Sequence, residues 1–575
     1  MAVAVAIFAP LGMLTGQALG STAVRAEVLV YGGTPGGILA AVTASRAGAT
    51  VILLEPTRHV GGMMSSGLGW TDTGDRTTIG GYTKEFFDRV QVLEGSAAFR
   101  YAFQPHTAEA VFKAMLHASK VDVRYGERLS DRGRLTVDGT RITSLRTTSG
   151  RTFEAAIFID ATYEGDLLAR AGASFRLGRE AQAEYGEILA GVRPTQVVVA
   201  DPNGASTPFL VEAPGKLGSA DQRVQSSNYR LCLSSDRANQ TAFTAPADYS
   251  WRDYAIILAY LREREAATGL TASLSWLMAL SPVANNKYDV NDKGLLSTAL
   301  PGLNWSYALL DGHGRAELDA AHRRNSQGLF YFLGHDRRVP ASIRNDLGRY
   351  GLCKDEFTDN GNWPWRLYVR EGRRLVGEYV LTQADITTTR QKPDIIGLAS
   401  YRVDAHLVSR WIDDLGRLVT EGSLALPYQT YAIPYRSITP KHTEVTNLLV
   451  PVAASASHVA QASLRMEPQY MIMGEAAGEA AAMAIRRRWP EGSGRMPAII
   501  DVQRLDVSRL QQRLIDHGAF LVNPANPAPL SAAEGTPGRW ATSRRPVLDR
   551  RASPAVDCYR AEREPPCMDP LPGPP

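Results

Sequence analysis

The chain has 575 residues, 44% apolar and 21% charged, with a formal net charge of +4. This composition excludes wholesale disorder, and the length allows two or more lobes with substantial cores. The small net charge, without a prominent Lys/Arg run, argues against a nucleic-acid partner.

The first stretch, Ala2 to Gly20, is small and apolar, broken by Pro10, and short for a membrane span. Val24-Arg25-Ala26 then places small residues at the −3 and −1 positions of a cleavage site. We expect a signal peptide over 1–26, export to the periplasm or beyond, and no membrane span in the mature chain. A leader on a cytoplasmic protein is the alternative, because a positive n-region and a twin-arginine signal are both missing.

Val28 to Ala41 reads as a buried strand, a glycine turn and a helix, and Ala49 to Glu55 as a second buried strand ending in an acid. That is a dinucleotide-binding βαβ unit. The turn Gly32-Gly33-Thr34-Pro35-Gly36-Gly37 would take the pyrophosphate at a helix N-terminus. Glu55 is placed to bind a ribose hydroxyl. Thr34 stands where the fingerprint has its middle glycine. Gly61-Gly62-Met63 lies just past the acid, where backbone can approach a flat cofactor. His59 either reaches that cofactor or sits on a surface loop.

Thr107 to Lys120 has the pattern of an amphipathic helix, with His106 before it as a helix-start or pocket residue. Residues 121–158 read as a β-meander with turns at Asp138-Gly139 and Ser149-Gly150. Ala156 to Thr162 is a returning buried strand that carries Asp160. Glu164-Gly165-Asp166 then opens a helix, its acids suited to the positive helix end.

Residues 178–395 hold no second nucleotide fingerprint and read as an inserted mixed α/β substrate lobe. Within it, Asn285 to Asp292 is expected to be a polar loop. Leu367 to Leu375 is expected to be a basic helix start, its arginines binding a substrate anion or forming interlobe salt bridges. Ser400 to His406 alternates like a strand, with Asp404 and His406 on one face. Residues 396–520 return to the nucleotide domain that began over 27–177. They contain a buried strand at Asn447 to Val452, the run Ala453 to Ala460 with Ser455, and an Ala/Gly-rich helix over Gln469 to Arg487 that follows Pro468. A short helix is expected over Val507 to Asp516, and a proline-rich disordered tail over 521–575.

The four cysteines, Cys232, Cys353, Cys558 and Cys567, form no C-x-x-C pair, so no zinc, iron–sulfur or other metal site is expected. Cys558 and Cys567 are either a disulfide of an exported protein or two free thiols.

The motifs Tyr-Gly-Gly-Thr-Pro-x-Gly-Ile, Glu-Pro…His-x-Gly-Gly-Met, Phe-Ile-Asp-Ala-Thr…Gly-Asp-Leu and Ser-Ala-Ser-His-Val-Ala…Arg-Met-Glu-Pro recur here in order. In this the chain resembles the bacterial FAD-dependent oxidoreductase family, with a distant likeness to the flavoproteins of the heterodisulfide reductase type. The likeness runs from about 27 to 520, and in that family threonine at the middle glycine is normal. Tyr163 and Ala405 depart from the residues expected there, Gly and Ser. The resemblance implies FAD in a Rossmann-like domain of the glutathione-reductase type. Its contacts would be Gly32, Gly33, Thr34, Pro35, Gly36, Gly37, Glu55, Gly61, Gly62, Met63, Asp160, Ser455 and Pro468. Hydride transfer from a small substrate, a sugar or an organic acid, would use His458 or His406 as base and Arg465 to hold charge. An NAD-dependent dehydrogenase and an inert nucleotide-binding protein are the competing readings.

Overall fold

The structure, a computed structural model, describes residues 23–130, 135–205, 209–388, 390, 392–427, 429–485 and 498–522. The N-terminal unit is built on β1 (Val24–Tyr31), α1 (Pro35–Arg46), β2 (Val51–Glu55), α2 (Gly81–Glu94), α3 (Pro105–Ala118), β3 (Asp122–Tyr125), β4 (Thr136–Asp138), β5 (Arg141–Arg146), β6 (Thr152–Asp160) and α4 (Asp166–Arg170). One seven-stranded sheet runs β3-β2-β1-β6-β5-β4. β1 is parallel to both β2 and β6, and β2 to β3, whereas β4 and β5 run antiparallel. The short strand Leu448–Leu449 joins the C-terminal end of β6 in parallel.

The continuous apolar run of β1 follows from burial on both faces. Val28 and Val30 enter the core shared with α1 and the lobe, and Leu29 and Tyr31 enter a second core under the meander. Pro35 suits the first turn of α1, where its missing N–H loses no bond. The helix Glu467–Ala484 packs along α1. Small residues make that possible: a Cβ on Gly474 would stand 2.0 Å from the Gly36 carbonyl oxygen, and one on Gly478 2.2 Å from that of Ala40.

The inserted lobe carries a five-stranded antiparallel sheet and the long helix Gly312–His335. Leu231–Ser234 lies between Lys287–Asp292 and Gly351–Cys353 in that sheet. A disulfide joins Cys232 to Cys353 across these two strands, a bond the sequence did not suggest. Cys558 and Cys567 lie outside the described residues, as does the expected tail beyond 522.

Two expectations change. Asn285 to Asp292 is not a loop: Asn285 and Asn286 take positive φ and turn a hairpin, and Lys287–Asp292 is its second strand. Leu367 to Leu375 starts no helix. It runs extended, with Tyr368 bridged to Asn228 and Arg374–Leu375 paired with Phe175–Arg176. Ser409–Ile412 and Leu418–Glu421 form a sheet with Gln196–Val199. Val24 to Ala26 pair with β6 as the outer end of β1. The helix Val507–Asp516 lies where the sequence put it, and the one expected over Gln469 to Arg487 runs Glu467–Ala484. Among the described residues no helix is long and apolar enough to cross a membrane.

Candidate active site

The glycine turn sits at the C-terminal edge of the parallel sheet. Gly32 has φ +106°, and a Cβ there would be 2.9 Å from the Ala161 carbonyl. Thr34 caps α1. Its hydroxyl accepts from the Gly37 N–H at 3.1 Å and donates to the Ala161 carbonyl at 2.8 Å. This is why threonine works at the fingerprint's middle position. Glu55, at the end of β2, accepts from the Gly33 N–H at 2.8 Å and the Thr57 N–H at 2.7 Å.

Gly61 and Gly62 close onto the same turn. The Gly61 N–H donates to the Gly33 carbonyl at 2.7 Å. Gly62 has φ +53°, and a Cβ there would come within 2.4 Å of the Tyr163 hydroxyl. That hydroxyl accepts from the Met63 N–H at 3.1 Å and donates to Glu467 at 2.5 Å. Glu467 and Pro468 form the first turn of the helix Glu467–Ala484. The residues expected around the cofactor, from Gly32 through Gly37, Glu55, Gly61, Gly62, Met63 and Pro468, thus come together around Tyr163.

Asp160 and Ser455 both bond backbone. Asp160 accepts from the Thr162 N–H and hydroxyl and the Leu168 N–H, and burial pushes its carboxyl up to about 6. The Ser455 hydroxyl accepts from the Gly377 N–H at 3.1 Å.

The three catalytic candidates lie along one polar chain. His458 is buried, and its Nδ1 meets both Glu371 oxygens at 3.0 Å. Glu371 also accepts from the Gln225 N–H at 3.3 Å, and the Gln225 side-chain oxygen accepts from the His406 N–H at 3.1 Å. His406 Nδ1 meets Asp292 at 3.0 Å, and Arg370 donates to the other Asp292 oxygen at 2.5 Å. Asp404 is a weaker partner of His406 than its sequence spacing suggests, with 3.9 Å between Nε2 and Oδ2. Arg465 donates to the Asp404 carbonyl at 2.7 Å and approaches the Tyr368 hydroxyl at 3.5 Å.

Burial would raise Asp292, but Arg370 and His406 pull it well below the usual range. Asp404 is likewise held down, against burial, by His406 and Arg465. Asp72 goes the other way: burial raises it against the pull of Arg230, and Asp404 adds to the rise. Adjacent carboxyls with opposed shifts suit proton handling. Asp72, Gln225 and Asp292 were not singled out from sequence, because elements far apart in the chain assemble the group.

Four further residues weighed from sequence make contacts away from this polar chain. His59 stacks on Trp365 at 3.5 Å and meets Glu109 and Asp359. His106 bonds Glu356 at 2.6 Å, which raises its pKa. Arg373 forms an interlobe contact with Asp166, and Arg374 pairs with Glu180 within the inserted lobe. A cavity of about 260 Å³ opens at the end of β1, lined by Tyr31, Arg128, Leu129, Asp166, Arg315 and Arg373. Asp166 engages both Arg315 and Arg373 there.

The segment 458–469 fits a flavin. Buried atoms His458 Nε2, Gln461 Oε1, Arg465 Nε, Glu467 Oε2 and Gln469 Oε1 have no hydrogen-bond partner among the described residues. Each such atom costs roughly 1–3 kcal/mol unless a ligand or water meets it. A flavin ring presents an edge of N–H, N and C=O groups of the matching kind.

The family model for FAD dependent oxidoreductase matches residues 27–514. No curated protein matches the chain. Among solved structures, the flavin-dependent brominase Bmp2 is similar over 86% of this chain and 83% of its own, at 9% identity and TM-score 0.33. AlpK is similar over 86% of this chain and 68% of its own, at 12% identity and TM-score 0.29. The OxyS anhydrotetracycline hydroxylase from Streptomyces rimosus is similar over 46% of this chain, at 11% identity and TM-score 0.26. The match spans 44% of that hydroxylase.

Proposed function

Because the chain belongs to the FAD dependent oxidoreductase family, we propose that it takes a hydride and a proton from a small hydroxylated substrate, with His406 accepting the proton. Bound FAD supplies the hydride acceptor, which no side chain offers. NAD as cofactor is set aside by the family.

The observation that carries the reading is the setting of His406. Asp292 fixes its Nδ1 at 3.0 Å, and its side chain keeps 16% exposure inside a largely buried polar group. That leaves the Nε2 edge for a substrate hydroxyl. A carboxylate on either side offsets the charge gained with the proton. Arg465 orients the Asp404 backbone and faces the same space. His458 is sealed, so its unpartnered Nε2 is assigned to the cofactor side. Arg230, Arg370 and Arg465 are met by Asp72, Asp289, Asp292 and Asp404. This balance favours a neutral, sugar-like substrate over an organic acid.

The test is anaerobic mixing of purified yellow protein with sugars, polyols and hydroxy acids, following loss of flavin absorbance. A hydroxylated compound should bleach the wild type, and His406→Gln should slow that step by about 10²-fold or more. Bleaching at an unchanged rate in His406→Gln removes His406 as base. No bleaching by any compound, with flavin still reducible by dithionite, favours the inert nucleotide-binding reading.

Export remains part of this proposal. The Cys232–Cys353 disulfide supports it, because such bonds persist in oxidising compartments. Fractionation of the native cells tests it, and recovery with the cytoplasm would count against it.

A further inference from the structure

We infer that Arg366, supplied by the inserted lobe, binds the diphosphate of FAD. The inference rests on FAD as the cofactor and concerns how this chain holds it.

The glycine turn is short of donors. The Gly33 N–H is taken by Glu55, the Gly37 N–H is taken by Thr34, and Pro35 has none. A turn with glycine in the middle would leave the Gly37 N–H uncapped. This turn therefore offers a diphosphate fewer free N–H groups than the usual fingerprint, and a further cationic group has to come from elsewhere.

Arg366 is placed to supply it. Ser66, a few residues past Gly62, fixes the Arg366 backbone: the Arg366 N–H donates to the Ser66 hydroxyl at 2.8 Å, which donates to the Arg366 carbonyl at 3.4 Å. The guanidinium lies 5.3 Å above the Tyr163 ring. The Tyr163 hydroxyl abuts Gly62, whose added Cβ would also meet Pro35 Cδ at 3.0 Å and Thr34 Cα at 3.2 Å. Arg366 is thus stationed over the glycine turn.

No carboxylate among the described residues pairs with it directly. Glu55, Glu164 and Glu467 all act on it electrostatically. Yet no ion pair within 4.0 Å is formed by Arg366 among the described residues. The side chain is half-buried; burial works against its charge, but Glu164 and Glu55 outweigh it. A half-buried guanidinium that no carboxylate contacts directly is free to take an anion. Its planar fork of donors matches phosphate oxygens. Glu55 marks the ribose end of the extended cofactor and Glu467 lies in the segment that fits the flavin, and the diphosphate is the part of FAD between those ends.

The test is binding, independent of turnover. Apoprotein of the full chain, wild type and Arg366→Gln, is titrated with FAD and with riboflavin, which lacks the phosphates, by flavin fluorescence. Arg366→Gln should weaken FAD by roughly 10- to 100-fold and leave riboflavin within about 2-fold. Arg366→Lys should recover part of the FAD loss. Wild-type affinity for FAD should fall with added salt while that for riboflavin stays level, a reading that needs no variant. Unchanged FAD affinity in Arg366→Gln, an equal loss for FAD and riboflavin, or a salt-independent wild type would each overturn the inference. Wild-type protein that binds no flavin at all would overturn the cofactor instead.

Discussion

The Tyr163 hydroxyl donates to the Glu467 carboxyl across 2.5 Å, tying the turn after β6 to the first turn of the helix Glu467–Ala484. The second Glu467 oxygen is buried without a partner among the described residues. Burial raises this carboxyl to about 8, while Tyr163 and Arg366 pull it back. The folded state therefore holds a proton here that the unfolded chain, with an ordinary value of 4.5, releases. By linkage, this group's stabilisation is complete below about 4.5 and is lost as pH rises towards about 8. Glu467→Gln keeps an acceptor for Tyr163 and cannot ionise. Melting temperatures of apoprotein from pH 5 to 9 should therefore fall away more slowly in Glu467→Gln than in wild type. Parallel curves would show that Glu467 is ionised throughout.

Thr34 makes two bonds that an alanine cannot. Thr34→Ala leaves the Gly37 N–H uncapped and the Ala161 carbonyl without its donor. The expected loss is about 1–2 kcal/mol in urea unfolding. Thr34→Ser keeps both bonds and should stay within about 0.5 kcal/mol of wild type. If both variants unfold like wild type, the cap contributes nothing.

Gly474 has no room for a methyl group. Its Cβ would stand 2.0 Å from the Gly36 oxygen, a backbone atom that cannot rotate away. Gly474→Ala should push α1 from the helix Glu467–Ala484 and destabilise the protein by about 1–3 kcal/mol, despite the better helix propensity of alanine. Because α1 carries the glycine turn, the same variant should lose flavin on gel filtration. Wild-type flavin content and melting temperature would show that the helices can separate without cost.

The nucleotide unit was legible because its signals are local. Val28 to Glu55 gives strand, turn, helix, strand and acid within one short stretch, and the structure sets them in that order. The helix Val507–Asp516 was expected in place, and Pro468 was legible from its position before an Ala/Gly run. The family likeness already made Thr34 normal, but the reason was not legible, because its hydroxyl bonds Ala161, 127 residues away. The polar group around His406 was half-legible: His406, Asp404 and Arg465 were singled out, whereas Asp292 was lost in a stretch taken for a loop. Asn285-Asn286 is a hairpin turn signal whose flanking strands are too polar to announce themselves. Arg366 and Asp72 carry no sequence signal, since each matters only through what the fold places opposite it.

Cys232 and Cys353 face each other on neighbouring strands, 121 residues apart in sequence. Closing a loop that long removes much freedom from the unfolded chain, and the entropy estimate is roughly 4–5 kcal/mol, an upper value if the unfolded state keeps structure. The bond also pins Leu231–Ser234, which pairs with the strand carrying Asp289 and Asp292. Reduction should therefore lower the melting temperature, and Cys232→Ala/Cys353→Ala should melt at the reduced value whether or not reductant is present. The double variant should also slow the bleaching step, through the strand that carries Asp292, while retaining flavin, whose turn and acid lie in the other lobe. Intact mass should rise by about 2 Da on reduction of the unfolded wild type if this is the one disulfide present. A melting temperature indifferent to both reductant and substitution would remove the bond from the account of stability.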